Sequence, residues 1–155
     1  MQYDVVVLGA GPGGYTAAFR AADLGLKVAL IDRNPTLGGV CLNVGCIPSK
    51  ALLHASKVIS DARDMARHGI VFGEPQIELD SLRRWKDKVV GQLTNGLQAL
   101  AKQRKVEVIT GTAKFLSPRK LAIKGSTTNE LEFKQAIIAA GSEPVRLPGL
   151  PYNDA

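Results

Sequence analysis

Val5-Val6-Val7-Leu8-Gly9-Ala10-Gly11-Pro12-Gly13-Gly14 is the stretch from which the fold can be read. Four consecutive apolar residues, three of them β-branched, suit a strand buried on both faces of a parallel sheet. Gly9 ends the run. An alanine-rich helix is expected from Tyr15 to Leu24, with Gly25 as its terminator. Val28-Ala29-Leu30-Ile31 reads as the next strand, so residues 4–32 form one βαβ unit of about 30 residues.

Between strand and helix, glycines 9, 11 and 14 fit G-x-G-x-x-G in the context that gives the pattern meaning. The first permits the tight turn, the second lets a pyrophosphate approach the backbone, and the third lets helix pack on strand. The helix start then turns free N–H groups and its positive dipole end toward the phosphates. Asp32 closes the second strand, where a carboxylate can accept both hydroxyls of an adenosine ribose and repel a 2′-phosphate. These residues point to a bound dinucleotide, without separating FAD from NAD.

Composition bounds the rest. A length of 155 residues with 45% apolar content suits about one folded domain and excludes a disordered or collagen-like chain. No apolar run approaches a membrane span, and Asp4 stands where a secretory signal would be basic, so neither a membrane nor a secreted setting is expected. Two cysteines fill neither a disulfide scaffold nor a structural zinc site, and no metal is expected. Eight of the 16 glycines lie in the first 45 residues, and both cysteines close that region. The charge lies elsewhere: Arg83 to Lys105 holds seven basic residues against Asp87, which accounts for the whole formal +6. Trp85 falls on the apolar stripe of this segment and no nucleic-acid motif accompanies it. A solvated helix face is therefore expected and no nucleic-acid partner; an acidic protein surface is the second reading.

Helices are expected over Ile47–His68, with Pro48 in the first turn, and over Ser81–Lys102. Strands are expected at Val106–Thr112, Lys120–Lys124, Glu130–Phe133 and, buried and ending in glycine, Ala136–Gly141. Leu147–Pro151 reads as a linker. The fold class is α/β, a parallel sheet with helices plus a small antiparallel β-meander.

Cys41-Leu42-Asn43-Val44-Gly45-Cys46 places four residues between two thiols, wider than C-x-x-C yet closable if the chain turns at Gly45. Cys46 opens a helix, where the dipole favours a thiolate, and Lys50 lies one turn on along the same face. Without a secretion signal a static disulfide is disfavoured, which leaves a redox-active pair or two isolated thiols.

The run Gly38-Gly39-Val40-Cys41-Leu42-Asn43-Val44-Gly45-Cys46-Ile47-Pro48-Ser49-Lys50 resembles the signature of the flavin-dependent pyridine nucleotide–disulfide oxidoreductases. With Leu42, Ile47 and Ser49, continuing into Ala51-Leu52-Leu53-His54, it is most similar to the family's bacterial dihydrolipoamide-oxidising branch. The resemblance covers the whole chain and implies a Rossmann-like FAD-binding domain. It places Gly9, Gly11 and Gly14 at the pyrophosphate, Asp32 on the ribose, Ala113 at the adenine, Lys50 near the flavin ring, and Gly39 and Gly141 at the cofactor. It implies that Cys41 is the interchange thiol, lying beside the cofactor, and Cys46 the charge-transfer thiol. Electrons would pass from dihydrolipoamide to the Cys41–Cys46 disulfide, then through FAD to NAD⁺.

Two positions depart from the family pattern. Asp32 stands where Glu is usual, and Ala139-Ala140-Gly141 where Ala-Thr-Gly is usual. The family's catalytic His–Glu dyad and second dinucleotide motif have no counterpart here, since His54 and His68 stand in no matching motif. Residues 1–145 are therefore expected to be the N-terminal part of an FAD-binding domain, incomplete without the rest of the chain, and 146–155 the start of a linker toward an NAD domain. This stretch alone is expected to lack dihydrolipoamide:NAD⁺ activity. The resemblance further implies a cytoplasmic homodimer serving the lipoyl domains of 2-oxo acid dehydrogenase complexes. Glutathione reductase and mercuric reductase share the signature, although glutathione enzymes usually carry Lys-Lys at Ser49-Lys50. A non-catalytic dinucleotide-binding module is the remaining alternative.

Overall fold

The protein is described from a computed structural model, which covers residues 2–143, 145 and 147–149. The chain runs β1 (Gln2–Leu8), α1 (Pro12–Asp23), β2 (Val28–Asp32), α2 (Gly39–Asn43), α3 (Cys46–Asp64), a 3₁₀ turn (Met65–His68), α4 (Leu79–Gln103), β3 (Glu107–Thr110), β4 (Thr112–Ser117), β5 (Lys120–Lys124) and β6 (Glu130–Ile138). The strands form one mixed sheet in the order β3-β2-β1-β6-β5-β4. Pairing is parallel from β3 through β2 and β1 to β6, and antiparallel from β6 through β5 to β4.

β1 is central and buried on both faces, as its unbroken valine run predicts. On one face Val5, Val7, Val28 and Leu30 pack under Ala18, Phe19 and Ala21 of α1, whose alanines let the helix lie close. Ala101, near the end of α4, and Val106 join that core. The other face has no helix over it among the described residues. Tyr3, Val6, Ala29, Ile31 and Ile109 pack instead against Leu121, Ile123, Leu131 and Phe133, so the antiparallel strands curl back to form the second layer.

The βαβ unit is as expected, with α1 starting earlier because Pro12 takes the first helical position, where its missing N–H is harmless. Gly25 is left-handed at the helix exit, with φ +82°. Four expectations need correction. Val106–Thr112 is two strands, because Gly111 breaks the run where a Cβ would lie 2.8 Å from the Lys124 carbonyl. The strands expected at Glu130–Phe133 and Ala136–Gly141 are one, since Lys134 and Gln135 stay in register against β1. Its last residues are not buried: beyond Phe133 no strand among the described residues pairs with the outer edge, and Ile138 is 68% exposed. The apolar stripe of α4 is half-open, with Trp85, Leu93 and Leu100 partly exposed.

Three of the seven basic residues of the segment from Arg83 to Lys105 form ion pairs among the described residues. Arg83 pairs with Asp80, Lys86 with Asp87 and Arg104 with Asp23, in keeping with a solvated face. Of the linker expected at Leu147–Pro151, residues 150 and 151 lie outside the described residues, as do 146 and 150–155 of the stretch assigned to its start. No helix among the described residues is long and apolar enough to cross a membrane.

Candidate functional site

The C-terminal ends of β1, β2 and β6 open onto one cleft of about 650 Å³, closed on its far side by the β3–β4 junction. Gly9, Gly11, Asp32, Gly39, Cys41, Ala113 and Gly141, singled out from the sequence, all line it. Gly14 lies behind it, while Lys50 and Cys46 are not among its lining residues.

The glycine turn shows why each position is glycine. A Cβ on Gly9, which has φ +99°, would overlap the Ala139 carbonyl oxygen, and one on Gly14 would overlap the Gly9 carbonyl oxygen. These two glycines let β1, α1 and the exit of β6 close on one another. Gly11 differs: its φ of −69° suits any residue, and a Cβ there meets nothing within 4 Å. No protein atom requires glycine at 11, whereas a ligand lying on the backbone would. The first turn of α1 has no side-chain cap and no acidic residue, so its leading N–H groups are left for an anion.

Asp32 is held before any ligand arrives. One carboxylate oxygen accepts the Ala10 N–H at 2.6 Å, and the other accepts the Asn34 N–H at 2.8 Å and its side-chain amide at 3.2 Å. A carboxylate has about four lone-pair sites, so room is left for one further donor.

The cysteine loop is built onto this turn. The Gly38 N–H donates to the Ala10 carbonyl at 2.8 Å, and Gly38 and Gly39 are both left-handed, with φ +105° and +58°. Gly39 also passes so close that a Cβ would lie 2.7 Å from the Gly11 Cα. The chain then winds into α2, a short turn that the sequence did not announce, and reverses at Gly45 into α3.

Cys41 is half-buried at the cleft and Cys46 is exposed at the first position of α3. The neighbouring Cys46 side chain, as a hydrogen-bonding partner, then partial burial and the charge of the second sulfur raise the pKa of Cys41 above the ordinary thiol value. Lys50 and the Cys46 backbone N–H work in the opposite direction and are outweighed.

Sequence reasoning missed the cleft's rim. Arg33 and Glu143, 110 positions apart, form an exposed 3.0 Å ion pair beside Asn34 and Ser142. No local pattern marks such a pair; only the parallel alignment of β2 and β6 about β1 brings it together.

Comparison with known proteins agrees with this geometry. The family described as pyridine nucleotide-disulphide oxidoreductase matches residues 3–154. Proteins named dihydrolipoyl dehydrogenase are 58% identical in Vibrio parahaemolyticus, 56% in Haemophilus influenzae and 47% in Trypanosoma brucei brucei. These alignments cover 99%, 99% and 98% of this chain, and 33% of each relative. The chain therefore spans about a third of the length of the curated relatives it matches. A glycine turn at the edge-to-edge meeting of three parallel strands, a thiol pair tied to it and the match over residues 3–154 lead to one conclusion: the chain belongs to the pyridine nucleotide-disulphide oxidoreductases.

Proposed function

We propose that residues 1–145 are the FAD-binding, thiol-bearing part of a flavoenzyme that oxidises protein-bound dihydrolipoyl groups with NAD⁺ as acceptor. The observation carrying this reading is the Cys41–Cys46 pair, with Cys41 in the wall of a cleft whose Gly11 has no reason among the described residues to be glycine. The relatives' name supplies the substrate class.

FAD, when bound, accepts two electrons from the cysteine pair and passes them to NAD⁺. Gly9 and Gly11 would lie at its pyrophosphate, with Gly14 holding α1 against β1 so that the leading N–H groups face it. Asp32 would take one ribose hydroxyl, Ala113 would flank the adenine, and Gly39 and Gly141 would border the cleft. In the oxidised protein, a thiolate of the dithiol attacks the Cys41 sulfur, the Cys41–Cys46 bond breaks, and the electron pair leaves on Cys46. The second substrate thiol then attacks the mixed disulfide, giving the cyclic disulfide and returning Cys41 with its electron pair. A raised pKa at Cys41 suits this order, since it keeps the Cys41 thiol protonated once the mixed disulfide is resolved.

The edge of β6 beyond Phe133, unpaired among the described residues, suits a further strand, and residues 146–155 would begin a linker toward an NAD domain. The whole protein would act as a homodimer in the cytoplasm, where 2-oxo acid dehydrogenase complexes present their lipoyl domains. The test is the flavin spectrum of the intact protein under anaerobic conditions. Bleaching by dihydrolipoamide but not by glutathione, with recovery on adding NAD⁺, is expected; bleaching by glutathione alone would overturn the substrate assignment.

A further inference from the structure

Asn43 lies between the two cysteines and reaches backward rather than toward either thiol. Its side-chain amide donates to the Gly39 carbonyl at 2.9 Å and to the Leu37 carbonyl at 3.1 Å. Those carbonyls flank the left-handed Gly38–Gly39 bend. The same bend is fixed to the glycine turn by the Gly38 N–H to Ala10 carbonyl bond and by the approach of Gly39 to Gly11. Ala10 is in turn held through its N–H by Asp32. One hydrogen-bonded path thus runs from Asp32 through Ala10 and Gly38 to the bend. Asn43 closes it from the far end of α2, two residues after one thiol and three before the other.

We propose that Asn43 is a positioning residue that sets the redox equilibrium of the Cys41–Cys46 pair by clamping α2 onto the dinucleotide turn. The inference rests on the reading of that pair as the electron entry point. α2 is only five residues long, begins on two glycines and has no side-chain cap, so it has little helical stability of its own. The two amide donors supply the missing restraint. A disulfide demands one narrow sulfur–sulfur geometry, whereas two thiols tolerate many. Holding α2 in the geometry that brings the sulfurs together therefore favours the oxidised pair over the reduced one. Releasing α2 lowers the effective concentration of one thiol at the other.

The experiment compares the intact parent holoprotein with Asn43→Asp and Asn43→Ala. Each is equilibrated in glutathione redox buffers, and the fraction of Cys41–Cys46 disulfide is read by differential alkylation and peptide mass. Asn43→Asp keeps the shape, removes both donors and sets a carboxylate against two carbonyls; Asn43→Ala removes both donors without that repulsion. The disulfide equilibrium constant is expected to fall at least tenfold in both, about 30 mV toward a more oxidising couple. Should Asn43→Asp not fold, the same fall in Asn43→Ala carries the result. A lowered melting temperature with an unmoved equilibrium constant in Asn43→Ala would give Asn43 a purely structural role and overturn the proposal, as would failure of Asn43→Ala to fold. A parent protein whose two cysteines form no exchangeable disulfide would instead overturn the reading on which the inference rests.

Discussion

Replacing each glycine of the turn by alanine separates what the fold needs from what the cofactor needs. At Gly11 the added methyl enters open space at φ −69°, so the fold pays only for a poorer helix N-cap. That cost is at most about 1 kcal/mol and is partly offset by a stiffer unfolded chain. The same methyl occupies the cleft floor. If a pyrophosphate lies there, overpacking of about 1–3 kcal/mol translates into a ~5- to 150-fold loss of FAD affinity. At Gly14, which is buried, the methyl overlaps the Gly9 carbonyl oxygen, a backbone atom that no rotamer change can move. The expected loss of stability exceeds about 3 kcal/mol with or without cofactor. Gly13 is the control: its Cβ meets nothing and it is not among the cleft's lining residues, so alanine there gains about 0.5–1 kcal/mol of helix propensity and leaves binding alone. Thermal unfolding of the apoprotein and quenching of FAD fluorescence on titration read the two quantities independently. A Gly11→Ala protein that is stable and binds FAD as tightly as the parent would refute the placement of the pyrophosphate.

Two further outcomes are expected. Alkylation of reduced Cys41 should follow a pH profile with its midpoint above the ordinary thiol value of about 8.5, because a raised pKa leaves less thiolate at a given pH. Cys46→Ala removes the main cause and should bring the midpoint down, whereas Lys50→Met removes an opposing charge and should push it up; shifts in the reverse sense would contradict the assigned causes. Asp4, which binds the Lys134 ammonium at 2.7 Å and the Lys27 N–H at 2.9 Å, has its pKa lowered by those partners, Lys134 first. A depressed carboxyl pKa contributes stability above the unfolded value of about 3.9 and loses it as pH falls through the folded value. Asn at position 4 should therefore be less stable at neutral pH, with the gap closing in acid; denaturant melts at pH 7 and pH 3 check this.

The first 32 residues were legible because every level of the chain agrees there: an apolar run, glycines at fixed offsets, an alanine helix and a closing acid. α2 was not legible, since five residues starting on Gly39 show no periodicity and are held by Asn43 rather than by propensity. β4 was hidden because its Phe115 and Leu116 do not alternate as a half-buried strand should. The continuous β6 was read as two because Lys134 and Gln135 interrupt the apolar pattern, yet β1 pairs through both ends of the segment. At the site, Gly9, Gly11, Gly14, Asp32 and the cysteines were within reach of spacing and chemistry, whereas Gly39 and Gly141 came from resemblance. Ala113 was reached only by resemblance, and Arg33 with Glu143 not at all, because their meeting depends on the sheet order. At the departure, Asp32, the shorter side chain is already fastened to Ala10 and Asn34, with one acceptor site left.

The central claim is that electrons enter through Cys41 and Cys46. The direct measurement is a thiol count on the intact, oxidised, FAD-loaded protein before and after one equivalent of dihydrolipoamide in the absence of oxygen, with each new thiol located by mass. Two new thiols per flavin are expected, at Cys41 and Cys46, and a protein alkylated beforehand at both positions should keep its flavin and remain oxidised. Flavin reduction by dihydrolipoamide in the alkylated protein would contradict the account.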